Sequence, residues 1–381
     1  MTQKGDYMIY NNFKGLKLSA LGFGTMRFPV FDGDLSKIDQ EKVNEMFDYA
    51  IENGVNYFDT AWGYHMGQSE ISVGKALARH PRDSFFLATK FPGYDISNMG
   101  KAPEIFEKQL EKCQVEYFDF YLVHNVCEAN IEYYLDPQYK TVEYLLEEKK
   151  KGRIKHLGFS THASFENFKR FLDAYGEFME FCQIQLNYID YEFQDAKAKI
   201  EYLNKLGIPV WVMEPVRGGK LAILAESPSK ELNEIRNGVG AVEMAFRFIQ
   251  SIPEAVVTLS GMSNFEQVKD NIRIFSEQKP LNAEEMTKIL ALGRKMTSCV
   301  PCTACQYCVE YCPQGLDIPK LISLYNEQVF SGGGFIVSMN LDSLPEDKRP
   351  SACIGCGACK AVCPQRIKIP EVMSDFVERR K

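Results

Sequence analysis

The sequence predicts an α/β protein: a (β/α)8 TIM barrel followed by a small cysteine-rich domain of α+β type. Three observations predict it. From Leu18 to about Glu277, short apolar runs alternate with longer amphipathic segments, the pattern of repeated strand–helix units. Three successive apolar runs stop abruptly at a polar residue: Val55 to Phe58 at Asp59, Phe85-Phe86-Leu87-Ala88-Thr89 at Lys90, and Phe120-Tyr121-Leu122-Val123 at His124. Of 12 cysteines, 9 lie between Cys299 and Cys363. The 381 residues suffice for one large domain and a small one.

In chain order, the first strand is Leu21-Gly22-Phe23-Gly24-Thr25, with a helix over 40–53. Strand 55–58 precedes a helix over 69–78, strand 85–89 a helix over 103–113, and strand 119–123 a helix over 142–151. The fifth strand is 154–159, with a helix from about Ser164; the sixth is 182–186, with a helix over 196–206. Strands at 210–213 and 255–259 complete eight. Gly54 and Gly207-Ile208-Pro209 punctuate helix ends. An open doubly wound sheet is the alternative, but no G-x-G-x-x-G follows an early strand. The predicted division is a barrel over 1–278, a linker helix over 279–296 and the small domain over 297–381.

With 45% hydrophobic and 25% charged residues the chain is ordinary for a globular protein. A net charge of -7 argues against nucleic acid or an anionic membrane as partner. No apolar run reaches membrane-spanning length, and residues 1–6 lack the apolar core of a signal peptide, so a cytoplasmic location is expected.

In a barrel the active site lies at the C-terminal ends of the strands. The polar residues Asp59, Lys90, His124, Ser160, Gln185, Glu214 and Ser260 fall there. A phenol titrates near 10, too high for easy proton donation; a nearby ammonium favours the phenolate and makes Tyr64 a better acid. Asp59 would hold Lys90 charged, and His124 would donate to a carbonyl oxygen. Singly, these are an N-cap aspartate, a snorkelling lysine and a satisfied core histidine. Together, at three consecutive strand ends, they form a device for protonating an oxyanion.

On Phe58-Asp59-Thr60-Ala61-Trp62-Gly63-Tyr64, Ala88-Thr89-Lys90 and Leu122-Val123-His124, the chain from about Leu18 to Ile274 resembles an aldo/keto reductase. The resemblance implies a catalytic tetrad of Asp59, Tyr64, Lys90 and His124, with Tyr64 as proton donor. It also implies NAD or NADP bound extended across the barrel mouth, and a small-molecule carbonyl substrate. The cofactor contacts it implies are Gly24, Thr25, Ser160, Gln185, Met213, Glu214, Gly218, Lys220, Ser263, Asn264, Gln267 and Asn271. Ser160 and Gln185 would grip the nicotinamide amide, and Gly261-Met262-Ser263-Asn264 would offer backbone N–H groups to a phosphate. Two positions depart from the family: Val212-Met213-Glu214-Pro215 replaces the aromatic that stacks on the nicotinamide, and Gln267 replaces an arginine on the 2′-phosphate. Met213 to Lys220 is similar to the subgroup with iron–sulfur extensions.

The tail repeats one motif twice: Cys302-x2-Cys305-x2-Cys308-x3-Cys312-Pro313 and Cys353-x2-Cys356-x2-Cys359-x3-Cys363-Pro364. This is the bacterial ferredoxin spacing, in which the fourth cysteine of each run ligates the other cluster. Cys302, Cys305, Cys308 and Cys363 are assigned to one [4Fe-4S] cluster, and Cys353, Cys356, Cys359 and Cys312 to a second. A zinc ribbon would leave the third cysteine and the Cys-Pro unexplained. Cys299 stands outside the motif. The insertion between the motifs, with Ser331-Gly332-Gly333-Gly334 and Pro345-Glu346-Asp347-Lys348, either covers a cluster or reaches the barrel mouth.

Hydride chemistry moves two electrons and a [4Fe-4S] cluster one. The expectation is an NAD(P)H-dependent carbonyl reductase carrying two clusters. The alternative is an electron-transfer protein whose clusters exchange electrons with a partner ferredoxin or flavoprotein, or with a flavin bound at the barrel mouth. The aromatics Phe28, Phe31, Trp62 and Tyr64 would line that mouth.

Overall fold

The computed structural model describes residues 8–297 and 299–381, in two compact units that divide between Thr287 and Lys288. The first unit opens with an antiparallel hairpin, β1 (Tyr10–Phe13) and β2 (Leu16–Ser19). Eight parallel strands follow: β3 (Leu21–Gly24), β4 (Tyr57–Asp59), β5 (Phe86–Phe91), β6 (Phe118–Val126), β7 (Ile154–Thr161), β8 (Cys182–Gln185), β9 (Val210–Met213) and β10 (Ala255–Gly261). Pairing of β10 with β3, Thr258 opposite Leu21, closes them into a barrel. The eight predicted strands are all present, and the TIM-barrel expectation holds.

Three differences bear on the site. β6 runs to Val126 rather than Val123, so His124 sits inside the strand; its register against β7 shifts between Val123 and Val126, where Asn125 has φ 53°. β7 likewise extends through Thr161, which puts Ser160 in the strand. Polar residues in a barrel wall can face the mouth and keep their ladder bonds, so polarity alone does not mark where a strand stops. Helices Glu226–Ile235 and Ala241–Ile249, between β9 and β10, were not anticipated. The second buries Met244 to Ile249.

The β1–β2 hairpin stops the N-terminal end of the barrel. Phe13 is buried against Phe120, Phe181 and Trp211, with ring centroids 5.7, 6.4 and 5.0 Å away. Below this plug Glu180 receives Lys14 at 2.6 Å, Lys149 at 2.5 Å and His156 at 3.0 Å.

Helix Ala283–Thr297 covers most of the expected linker. In the second unit, a short helix in each motif (Tyr307–Glu310, Ala358–Ala361) is followed by a longer one with proline in its first turn (Ile318–Ser331, Ile369–Glu378). Leu316, Ile318, Ile322, Ile369, Met373 and Phe376 form its core. The insertion folds as helix Phe335–Asp342, whose Val337 and Leu341 join that core. The α+β expectation is met in its helices; among the described residues of this unit no strand forms. The segment before the second motif is a 3₁₀ turn, Pro350–Ala352, and its leading proline suits a turn better than a ladder.

Candidate active site

Adjacent parallel strands bring their C-terminal ends together, and β4, β5 and β6 are neighbours. Lys90 is fully buried and donates from Nζ to Asp59 Oδ1 at 2.5 Å and to the Thr60 carbonyl at 2.7 Å. Its ammonium lies 5.1 Å from the Tyr64 ring centroid, and the His124 ring stands edge-on to Tyr64 at 6.2 Å. The four predicted residues therefore converge. Asp59 Oδ2 and His124 Nδ1 are buried without a hydrogen-bond partner among the described residues.

The electrostatics depart from expectation at Tyr64. Burial raises its phenol above the ordinary value, and Lys90 only partly opposes the rise. Lys90 thus keeps the acid from becoming still weaker rather than making it strong. Burial disfavours charge on Lys90 itself, yet Asp59 and Tyr64 outweigh that and hold the ammonium firmly protonated. Burial, reinforced by the Lys90 charge, pushes His124 well below the ordinary histidine range. At neutral pH it is a neutral imidazole, able to donate one hydrogen bond and accept another.

A buried polar layer behind the strands escaped the sequence reading. Glu70 accepts from Thr89 Oγ1 and from Gln109 Nε2, each at 2.7 Å, and burial raises its carboxyl. Gln109 also donates to the Lys90 carbonyl at 3.0 Å and accepts from Tyr121 at 2.5 Å. Lys112 reaches Glu70 at 3.4 Å and lies 3.7 Å over the Trp62 ring. Helix Ser69–Leu77 and strand β5 are thereby tied to one another. The only sequence signal was a charged residue on the inward face of helix Ser69–Leu77.

Around the mouth, His65 takes a left-handed conformation (φ 52°), accepts from the Phe28 N–H at 3.1 Å and bonds the Leu35 carbonyl through Nδ1 at 3.0 Å. Nδ1 must then carry the proton, and the ring straps down a loop whose Met26, Phe31 and Leu35 stay exposed. Phe28, expected at the mouth, is buried against Phe23, Phe47 and His65. Tyr94 lies beside His124 instead. Its ring stands edge-on to His124 at 5.2 Å, and burial pushes its phenol to about 12.

The residues implied for a dinucleotide are placed as follows. Ser160 Oγ accepts from the Asn125 N–H at 2.8 Å, and Gln185 donates to Asp190 at 2.7 Å. The buried Oε1 atoms of Gln183 and Gln185 have no hydrogen-bond partner among the described residues. Such orphaned acceptors, with His124 Nδ1, fit a carboxamide. Thr25 Oγ1 shares a hydrogen bond with Ser69 at 2.8 Å, and Asn271 donates to Ser260 at 2.9 Å. Met213 accepts from Gln183 at 3.7 Å; Gly24 packs closely against the Ser260 backbone, and Gly218 against Arg27 and Glu214. Lys220 caps the turn Arg217–Gly219. The phosphate cradle is less open than expected. Asn264 caps helix Phe265–Phe275 by accepting from the Gln267 N–H at 3.0 Å, and Gln267 Oε1 takes the Ser263 N–H at 2.7 Å.

In the second unit, one cavity is lined by Cys312, Cys353, Cys356 and Cys359. Another is lined by Cys302, Cys305, Cys308 and Cys363. Among the described residues no three His, Cys, Asp or Glu side chains converge on a single ion. The thiols enclose space instead, and that fits a cubane cluster better than zinc.

The aldo/keto reductase family model matches residues 20–294, and a 4Fe-4S dicluster domain model matches 301–367. The NADH-specific methylglyoxal reductase of Escherichia coli is 27% identical over 226 residues, 54% of this chain and 66% of that protein. A probable aldo-keto reductase of Glycine max is 30% identical over 168 residues, 42% of this chain; the match spans under half, 46%, of that protein. The L-galactose dehydrogenase of Arabidopsis thaliana is 24% identical, covering 72% and 89%. An aldo-keto reductase from Bacillus halodurans in its holo form superposes with a TM-score of 0.62 at 25% identity, covering 75% of this chain and 96% of that one.

Proposed function

The chain belongs to the aldo/keto reductase family and is an NAD(P)-dependent oxidoreductase with a 4Fe-4S domain, and we propose that it reduces an aldehyde or ketone with Tyr64 as proton donor. The observation that carries this reading is the buried Lys90–Asp59 pair set under the Tyr64 ring, with neutral His124 alongside. A bound nicotinamide supplies the hydride. His124 donates a hydrogen bond that orients the carbonyl oxygen toward Tyr64. As negative charge develops on that oxygen, the Tyr64 phenol gives up its proton to it. Lys90 stabilises the phenolate left behind, and Asp59 balances the Lys90 charge in a place where a lone ammonium would be costly. Ser160, Gln183 and Gln185 hold the carboxamide.

In the tail, Cys302, Cys305, Cys308 and Cys363 hold one [4Fe-4S] cluster, and Cys353, Cys356, Cys359 and Cys312 the other. Each set lining one cavity supports this division. Exchange of electrons with a redox partner protein is a second reading, favoured by Cys305 and Cys356, which are exposed.

Tyr64→Phe removes only the acidic proton. Carbonyl reduction should fall by about 10²-fold or more, with the dissociation constant for NAD(P)H nearly unchanged. Affinity falling in step with rate would make Tyr64 a binding residue instead.

A further inference from the structure

We propose that Lys112 is a positioning residue for Tyr64, holding the loop that carries the acid by standing on the Trp62 ring; the inference rests on the reductase reading above. Tyr64 and Lys90 come from different elements, the loop after β4 and strand β5, and their separation sets how well the ammonium meets the phenolate. That loop is strained. His65 and Met66 have φ of 52° and 55°, and Gly67 follows at 85°. Two successive left-handed residues other than glycine are costly, and such a conformation persists only where the surroundings impose it. His65 secures one side of the loop, through the Phe28 N–H and the Leu35 carbonyl. Lys112 secures the other.

Lys112 lies in the last turn of helix Ala102–Cys113. Helix Ser69–Leu77 approaches that turn so closely that a Cβ built on Gly74 would stand 2.5 Å from the Lys112 carbonyl. The ammonium then reaches the fully buried Glu70 at 3.4 Å and lies 3.7 Å from the centroid of the Trp62 ring. A Cβ built on Gly67 would lie 4.0 Å from Lys112 Nζ and 3.7 Å from the Trp62 carbonyl. The cation thus sits where the loop turns back on itself. A cation over an indole is attracted to the negative face of the ring, more strongly where water is kept away. The Glu70 carboxylate holds the lysine in that place.

A continuous route therefore joins the two ends of the catalytic pair. Gln109 donates to the Lys90 carbonyl and to Glu70. Glu70 pairs with Lys112, and Lys112 stands on Trp62, two residues before Tyr64. Lys112 acts through Trp62, not on the substrate.

The test uses the full-length protein, with para-nitrobenzaldehyde as the carbonyl and NADH or NADPH as the donor. Lys112→Met keeps a long stem and removes the charge. It should lower kcat by about 10-fold, with the dissociation constants of both dinucleotides unchanged. Acrylamide quenching reads the contact separately. The chain has 2 tryptophans, and Trp211 is fully buried, so added quenching in Lys112→Met reports a released Trp62. Lys112→Arg, whose guanidinium also stacks on an indole, should restore both kcat and quenching. In a double-mutant cycle, Trp62→Leu with Lys112→Met should cost little more than either change alone. Unchanged kcat in Lys112→Met overturns the proposal, as does full additivity in the cycle. A fall in kcat with quenching unaltered, with dinucleotide affinity lost, or without rescue by Lys112→Arg makes Lys112 a structural residue and overturns it too. If the unaltered protein binds neither dinucleotide and reduces no aldehyde, the reductase reading falls and this inference falls with it.

Discussion

At the scale of single residues, the informative atoms are those that have no business being buried unless they are at work. Asp59 and Lys90 were legible in the sequence because a charge at the end of an apolar strand is costly without a partner. Their partner turned out to be each other. Glu70 and Gln109 were not legible, since a carboxylate or amide on a helix reads as ordinary surface. Only the fold reveals that Gln109 holds the Lys90 carbonyl, Glu70 and Tyr121 at once. Gln109→Ala leaves three buried groups short of a partner. It should destabilise the barrel by about 1–3 kcal/mol in a denaturant titration. It should also lower kcat while sparing nicotinamide affinity, because strand β5 loses the tie that fixes Lys90. A kcat equal to that of the unaltered protein would show that the strand positions Lys90 unaided. The Tyr64 expectation failed for a related reason: burial is a property of the folded mouth and opposed the lysine more strongly than sequence proximity suggested.

Among the elements, periodicity found the eight barrel strands and mislaid what closes the barrel. The β1–β2 turn has Lys14 at φ 50° and Gly15 at φ 88°, both left-handed, as a two-residue hairpin turn of the primed kind demands. Asn-Gly or Asp-Gly would have announced it; Lys-Gly did not. Residues 10–19 also bury only parts of both strands, so no clean alternation appears. The hairpin nevertheless supplies Phe13, and it carries Lys14 to Glu180. Burial opposes the Glu180 charge, but His156, Lys14 and Lys149 outweigh it and hold the carboxyl far below the ordinary range. Phe13→Ala empties the space among Phe120, Phe181 and Trp211 and should cost about 3–5 kcal/mol. The active-site mouth lies at the opposite ends of the same strands. Steady-state activity below the new melting point should therefore stay close to normal. A large loss of activity at temperatures where the variant is fully folded would mean that the plug sets the geometry of the mouth.

For the molecule as a whole, pH and metal separate what each unit contributes. Burial, with Lys199 nearby, lowers His162 to about 4, and burial also lowers His65 and His124. In each case the folded value lies below that of the unfolded chain, near 6.5. As pH falls through 6.5 the unfolded chain takes up protons first. This contribution is complete above about 6.5 and is lost progressively toward about 4. Asp59 and Glu70, raised by burial, act with the opposite sign. The histidine part is therefore read as a difference: His162→Gln should show a shallower loss of stability between pH 6.5 and 4 than the unaltered chain. Parallel curves would remove His162 from the account.

Iron removal poses the last question at the same scale. Legibility was greatest in the tail, because C-x2-C-x2-C-x3-C-P spacing is set by cluster geometry and survives any detail of packing. The strands expected there were not formed among the described residues. In the proposed ligation Cys312 and Cys363 cross over, so that each cluster would draw its fourth ligand from the distant motif. Substituting either should disturb the cluster made mainly by the other run. We expect about eight irons per chain in anaerobic preparations. Chelation should make residues beyond 300 sensitive to protease, because the apolar core left around two empty cavities is small. The barrel buries its own core and should resist the same treatment. Its activity then discriminates the two readings. Undiminished hydride transfer after iron is stripped means the clusters serve the tail. Loss of turnover with nicotinamide still bound means electrons pass through Cys305 or Cys356, the exposed ligands, to a partner. An iron content near four, or zinc in its place, would refute the pairing of four cysteines to each cavity.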